Sequence, residues 1–220
     1  MIERIGWAAA RCGDPLMEAT AVYVRVQSFF DTEATAAGVG LVSRTAEALA
    51  VDAAVDVRAA SVYGALHARA AVLAAKGGDS AGAEGHLSIA RGAAGVVGRD
   101  RALFYTYFGP SQLRIHELAA RVELGDGPGA LAAVSDWRLP AELPAERSSH
   151  FLIDRARAEV WVGAHTRAVA SLLEARRLAP LHTRAHPLVK PMVESILDRQ
   201  ARRSPNALIL AAWLGLNPGH

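Results

Sequence analysis

Residues 104–134, FYTYFGPSQLRIHELAARVELGDGPGALAAV, decide how the chain is to be read. The stretch runs as an aromatic loop, a capped helix, a tight turn and a second helix. Gly109-Pro110 punctuates the aromatic run. Proline's fixed φ and missing N–H cost nothing in the first turn of a helix, so a helix is predicted from near Pro110. Leu113, His116, Ala120 and Leu124 recur at three- and four-residue spacing and share one face. Gly125-Asp126-Gly127-Pro128-Gly129 ends the period with cap and turn residues, and Ala130, Leu131 and Val134 restart it. The product is a helical hairpin, the unit of helical-repeat proteins.

The unit recurs downstream. A shift of 38 (158 − 120) lays Ala158, Val160, Gly163, Ala168, Val169 and Ala170 over Ala120, Val122, Gly125, Ala130, Leu131 and Ala132. Small residues are needed there because the two helices of a hairpin approach most closely beside their connection. A fainter copy lies upstream. Ala75-Lys76-Gly77-Gly78-Asp79 with Ala83 matches Val122 to Asp126 with Ala130 at a shift of 47 (126 − 79). Tetratricopeptide repeats are about 34 residues long, so the 38-residue shift fits with a slightly long loop at 139–144.

The chain has 220 residues, 51% apolar and 21% charged, ordinary values for a globular protein with its own core. Alanine, leucine, arginine and glutamate dominate, a mixture that favours helix, and no alternating strand run stands between turns. The expectation is an all-α, tetratricopeptide-like α-solenoid of antiparallel hairpins forming a single domain over 1–220. A partial first repeat spans 1–31, repeats follow at about 32–98, 109–138 and 146–180, and capping helices close the array at 187–216. The first repeat reads as cut through its middle, so further chain is expected upstream. The single Cys12 excludes an internal disulfide and a cysteine-based metal cluster. With no apolar run of about 20 residues and no signal-peptide pattern at the start, a cytoplasmic, non-membrane protein is expected.

A series of motifs then falls in order: Tyr105-Thr106-Tyr107-Phe108-Gly109-Pro110-Ser111-Gln112 with His116, Val122 to Asp126, Leu152 to Ala158, Leu172 to Pro180, and His186-Pro187-Leu188-Val189. The series resembles the C-terminal region of actinobacterial Cro/repressor-type helix-turn-helix transcriptional regulators, over roughly residues 8–216. The resemblance implies a tetratricopeptide-like domain of regulatory origin. Two departures stand out. The family's N-terminal DNA-binding half has no counterpart here, and Ser111-Gln112 stands where the family usually has Thr-Asn.

Function follows from the groove of such an array, whose concave face is lined by the first helix of each hairpin. The 38-residue shift pairs Gln112, Ile115 and Ala119 with His150, Ile153 and Arg157. Gln112, His150 and Arg157 would present a surface for an amide or carboxylate, with His116 on the same helix as Gln112. Tyr105, Tyr107 and Phe108 would supply an apolar wall with hydroxyl handles. The leading expectation is a non-enzymatic domain that recognises a small molecule or peptide, with a homodimer left open. Its rival is a pathway enzyme reusing the groove, with His116 or His150 as acid or base. No Gly-rich phosphate loop, His-Glu-x-x-His or Gly-x-Ser-x-Gly occurs, and no cofactor is expected. His182 and His186 stand four apart, but Pro187 follows and no third ligand is signalled, so they read as loop histidines rather than metal ligands. A net charge of +2, with Arg199, Arg202 and Arg203 as the sole basic cluster, predicts no direct nucleic-acid binding.

Overall fold

A computed structural model describes residues 2–199 and 204–216. Among these residues the chain forms twelve α-helices and one two-stranded hairpin, so the protein is all-α. No helix among them is long and apolar enough to cross a membrane. Arg202 and Arg203 of the expected basic cluster lie outside the described residues. The chain divides into two compact units, one ending at Leu124 and the other beginning at Gly125, inside the segment read from sequence as the 109–138 hairpin.

The first unit contains α1 (Ile2–Cys12), α2 (Pro15–Arg25), α3 (Thr35–Glu47), α4 (Val57–Lys76), α5 (Ser80–Val97), β1 (Arg101–Leu103), β2 (Thr106–Phe108) and α6 (Pro110–Glu123). Its axis is α4, which packs against α2, α3, α5, α6 and the β-hairpin. The composition explains that position. VRAASVYGALHARAAVLAAK is apolar or small almost all the way round, and a helix with no polar face has to be enclosed. Fifteen of its residues are buried. Gly64 is needed there, because a Cβ at that position would stand 2.2 Å from the ring of the fully buried Phe108. Helix α2 runs on into a 3-10 turn at Val26–Phe29, with Val26 in the core.

The second unit contains α7 (Gly127–Ala133), α8 (Ala145–Trp161), α9 (His165–Leu178), α10 (Pro180–Ala185), α11 (Val189–Arg199) and α12 (Pro205–Leu214). Helices α8 and α9 pair as a hairpin, against which α10, α11 and α12 pack. Phe151, Ile153, Leu172, Ile196 and Leu210 are fully buried, and Trp137 meets the Phe151 ring edge-on at 5.0 Å. Glu159 is also buried, held by Arg155 at 3.2 Å and by the Ser171 hydroxyl at 2.7 Å.

Local chemistry recurs in both units. Asp14, Asp56, Asp79 and Asp126 each accept a backbone N–H at a helix start, at 2.9, 2.8, 2.8 and 2.9 Å. Each such cap stabilises by about 1 kcal/mol. The α4–α5 and α8–α9 turns also share one pattern. After α4, the N–H of Asp79 donates to the Ala74 carbonyl and that of Gly78 to Ala75, both at 2.9 Å. After α8, the N–H of Ala164 donates to the Glu159 carbonyl at 2.8 Å and that of Gly163 to Val160 at 3.0 Å. Gly78 and Gly163 take φ of 79° and 73°, the left-handed conformation that this helix ending requires.

Candidate functional site

The residues singled out from sequence divide between the units, and each set is described within its own. In the first unit, the expected aromatic loop is instead the β1–β2 hairpin, with Arg101 opposite Phe108 and Leu103 opposite Thr106. Phe104 and Tyr105 form its two-residue turn with φ of 46° and 57°. Asparagine and glycine are the usual occupants of such a turn, and bulky residues there cost on the order of 1–3 kcal/mol. Two contacts hold the Phe104 end in place: its side chain packs against the core and its carbonyl accepts the Thr20 hydroxyl at 3.1 Å. Tyr105 is 88% exposed, whereas Phe108 is interior.

Gly109 follows, and a Cβ there would lie 2.5 Å from the Asp100 backbone. That close approach puts the Asp100 carboxylate on the backbone N–H groups of Ser111 and Gln112, at 3.0 and 3.2 Å, so it caps α6 from outside the helix. Gln112, expected to face a groove, is 1% exposed. Its Nε2 lies 3.3 Å from His116 Nδ1, and its Oε1 is buried with no hydrogen-bond partner. His116 is half-buried, its Nδ1 2.8 Å from the Gln112 carbonyl. These two are interior or semi-interior groups rather than an open ligand surface. Between α5 and α6, Arg91, Leu113, Arg114 and Glu117 line a shallow groove. Its Arg91 is held by Glu84 at 2.6 Å and Glu117 at 2.7 Å.

The second unit gathers more chemistry. His150 sits half-buried on α8, and α10 brings His182 to it, with 3.0 Å between the two Nε2 atoms. The His186 ring stands 5.5 Å from that of His150 and 5.9 Å from that of His182. One turn before His150 on α8 is the exposed Glu146, and the ligand atoms of Glu146, His150 and His182 all lie within 4.8 Å of one another. Behind the imidazoles, Ser149 and Thr183 are buried, their hydroxyls 2.9 Å apart, and Ser149 Oγ is 3.0 Å from His182 Nδ1. Arg157, two turns beyond His150, pairs with Asp154 at 3.1 Å and lies 5.7 Å above the Trp161 ring.

Burial pushes both outer histidines below the ordinary imidazole value. His186 falls to about 4 through desolvation first, then the proximity of His182 and of the Arg157 guanidinium. His182 is lowered by desolvation, with Glu146 opposing and Arg147 reinforcing the shift. At neutral pH His182 and His186 are therefore neutral imidazoles with available lone pairs. From sequence, His182 and His186 read as loop residues, and Glu146 was not singled out. The readable signal was the pair of four-residue spacings, Glu146 to His150 and His182 to His186. Comparison with protein-family models, with curated proteins and with solved structures finds no match to this chain.

Proposed function

We propose that the chain is a tetratricopeptide-like binding domain of regulatory origin, cytoplasmic and non-enzymatic, which receives a small molecule or peptide on the second unit. The repeat reading is supported by the identical hydrogen-bond pattern that closes α4 and α8 on Gly78 and Gly163. The binding reading rests on one observation: His150 and Arg157 share a face of α8 with the His182 and His186 imidazoles against it. Convergent polar groups at a surface are what a ligand carrying an amide or carboxylate needs. A second reading, histidine acid–base catalysis, draws on the same convergence. It lacks an accessible nucleophile there, since the hydroxyl nearest the imidazoles belongs to the fully buried Ser149. With a net charge of +2, the chain alone is proposed to bind no DNA sequence specifically.

The test is a thermal-shift screen of the full chain against amide- and carboxylate-bearing small molecules and short peptides, followed by titration of binders. Arg157→Ala should weaken binding by about 1 to 3 kcal/mol, roughly 5- to 150-fold. Binding equal to the parent's removes Arg157 from the site. A compound that is consumed by the parent but not by His150→Ala would replace the binding reading with the enzymatic one.

A further inference from the structure

We infer that Glu146, His150 and His182 form a binding site for a divalent first-row transition-metal ion, with Zn2+ as the reference ion, open at its fourth position to an outside ligand. The site does not depend on the repeat reading, because it is made wholly of residues on α8 and α10.

Geometry comes first. Glu146 and His150 are one helical turn apart on α8 and share a face. Pro180 starts α10, the short helix that carries His182 over them. Two imidazole nitrogens bound at about 2.0–2.1 Å to a tetrahedral ion stand roughly 3.3 Å apart. His150 Nε2 and His182 Nε2 are already 3.0 Å apart, so admitting an ion requires an opening of only tenths of an ångström. A Glu146 oxygen lies within 4.8 Å of a ring nitrogen of each histidine, within reach of a side-chain rotation on an exposed residue.

Proton placement gives a second, independent line. The Thr183 hydroxyl donates to the Ala179 carbonyl at 2.9 Å, which uses its one proton. The 2.9 Å contact between Ser149 and Thr183 must then be donated by Ser149. Ser149 has no further proton, so the 3.0 Å contact to His182 must be donated by Nδ1–H. His182 Nε2 is thereby left as a bare lone pair aimed at His150. Metal-bound histidine is held in this way, with the far nitrogen donating to a fixed acceptor that sets both tautomer and ring orientation. In the empty site, the His150 Nε2 proton fills the gap between the two nitrogens. When the ion enters, that proton passes through solvent from Nε2 to Nδ1 of the same ring, and His150 ligates through the bared Nε2.

The donor set selects the ion. Two imidazoles and one carboxylate suit Zn2+, Co2+ or Ni2+, whereas Mg2+ and Ca2+ demand more oxygen ligands. His186 does not complete the shell in this arrangement: the Leu188 N–H points at its Nδ1 at 3.4 Å, and its ring forms a wall beside His150. Three protein ligands with solvent on the Glu146 side leave one position vacant, the pattern of an ion that engages an exogenous group.

The experiment uses the untagged full chain, stripped with a chelator and dialysed against Zn2+ alone, with Co2+ as a spectroscopic probe. One ion per chain is expected, and Co2+ should give the strong visible absorption of a four-coordinate site. Glu146→Gln, a change on an exposed side chain, should lower Zn2+ affinity about 10-fold or more. His182→Ala should lower it further, and Ser149→Ala should cost roughly 10- to 100-fold by freeing the His182 tautomer. His86→Gln, in the first unit, should leave binding unchanged. Fewer than one ion per chain, or equal affinity in the parent and Glu146→Gln, overturns the assignment. Because Glu146 lies outside the core, that variant decides the question even if His182→Ala fails to fold.

Discussion

Each unit holds two imidazoles that meet nitrogen to nitrogen, and their surroundings give them opposite characters. In the first unit, His67 of α4 and His86 of α5 stand with their Nδ1 atoms 2.8 Å apart. His67 is buried, Tyr63 lies edge-on at 4.5 Å, and His67 Nε2 has no hydrogen-bond partner. In the second unit, His150 and His182 are half-exposed, with a carboxylate in front and a hydroxyl relay behind. The same pair of side chains is thus a joint between helices in one place, with His67 buried and His86 half-buried, and a set of oriented donors in the other. What decides is whether a carboxylate within ligating reach and a fixed acceptor stand beside the rings.

The largest effect that sharpens this contrast is acid sensitivity. Burial, with His86 adding to it, lowers His67 from 6.5 to about 4, and His86 is lowered as well, with Asp79 opposing. Between those two values the unfolded chain binds more protons than the folded one. Stability from His67 is therefore fully present above about pH 6.5 and is lost as pH falls toward 4, by at most about 3 kcal/mol. The difference between the parent and His67→Gln in urea unfolding from pH 7 to 4 measures it, since His182 and His186 add an acid loss of their own in the second unit. An imidazole proton resonance for His67 that titrates near 6.5 would break the contrast.

Gln112→Ala comes next. Gln112 is buried rather than displayed, so the cavity left by its side chain should destabilise the first unit by about 1 to 3 kcal/mol. Arg157→Ala on the second unit should cost about 1 kcal/mol, because its ion pair with Asp154, though largely covered, still reaches solvent at 17% and 15% exposure. Paired denaturation curves test the ranking, and a costlier Arg157→Ala would reverse it. Trp161→Ala should fall between the two, at about 1 to 2 kcal/mol. Trp161 is 49% exposed and leaves no closed cavity. The smallest change has the opposite sign: Tyr105→Gly relieves a left-handed residue and should be neutral or stabilise by up to about 1 kcal/mol, read as a small rise in Tm.

Much of the architecture was legible in the sequence because it is locally encoded. Pro110 does begin α6, the glycines at 78 and 163 do close helices, and Asp79 does sit at a helix start. The β1–β2 hairpin was not legible, because its turn is Phe104-Tyr105 rather than an asparagine–glycine pair, and the constraint that holds it comes from Thr20, 84 residues away. Helix α10 was hidden between Ala179-Pro180 and His186-Pro187, where His182 and His186 read as loop histidines. Helical spacing placed Gln112 and His116 on α6, but which face is covered depends on what packs there, and Gln112 proved interior. The histidine cluster was half visible. Its spacings are in the sequence, but only the fold brings α10 back over α8.

The enclosure of α4 has one more consequence, in the domain of hydrogen exchange. From Ala59 to Ala75 nearly every side chain is covered, so no local opening can admit water to this backbone without separating α4 from its neighbours. Its amide protons should exchange only through unfolding of the whole first unit. The slowest deuterium uptake in Val62–Ala75 then acts as a clock for that unit alone, readable in the intact chain.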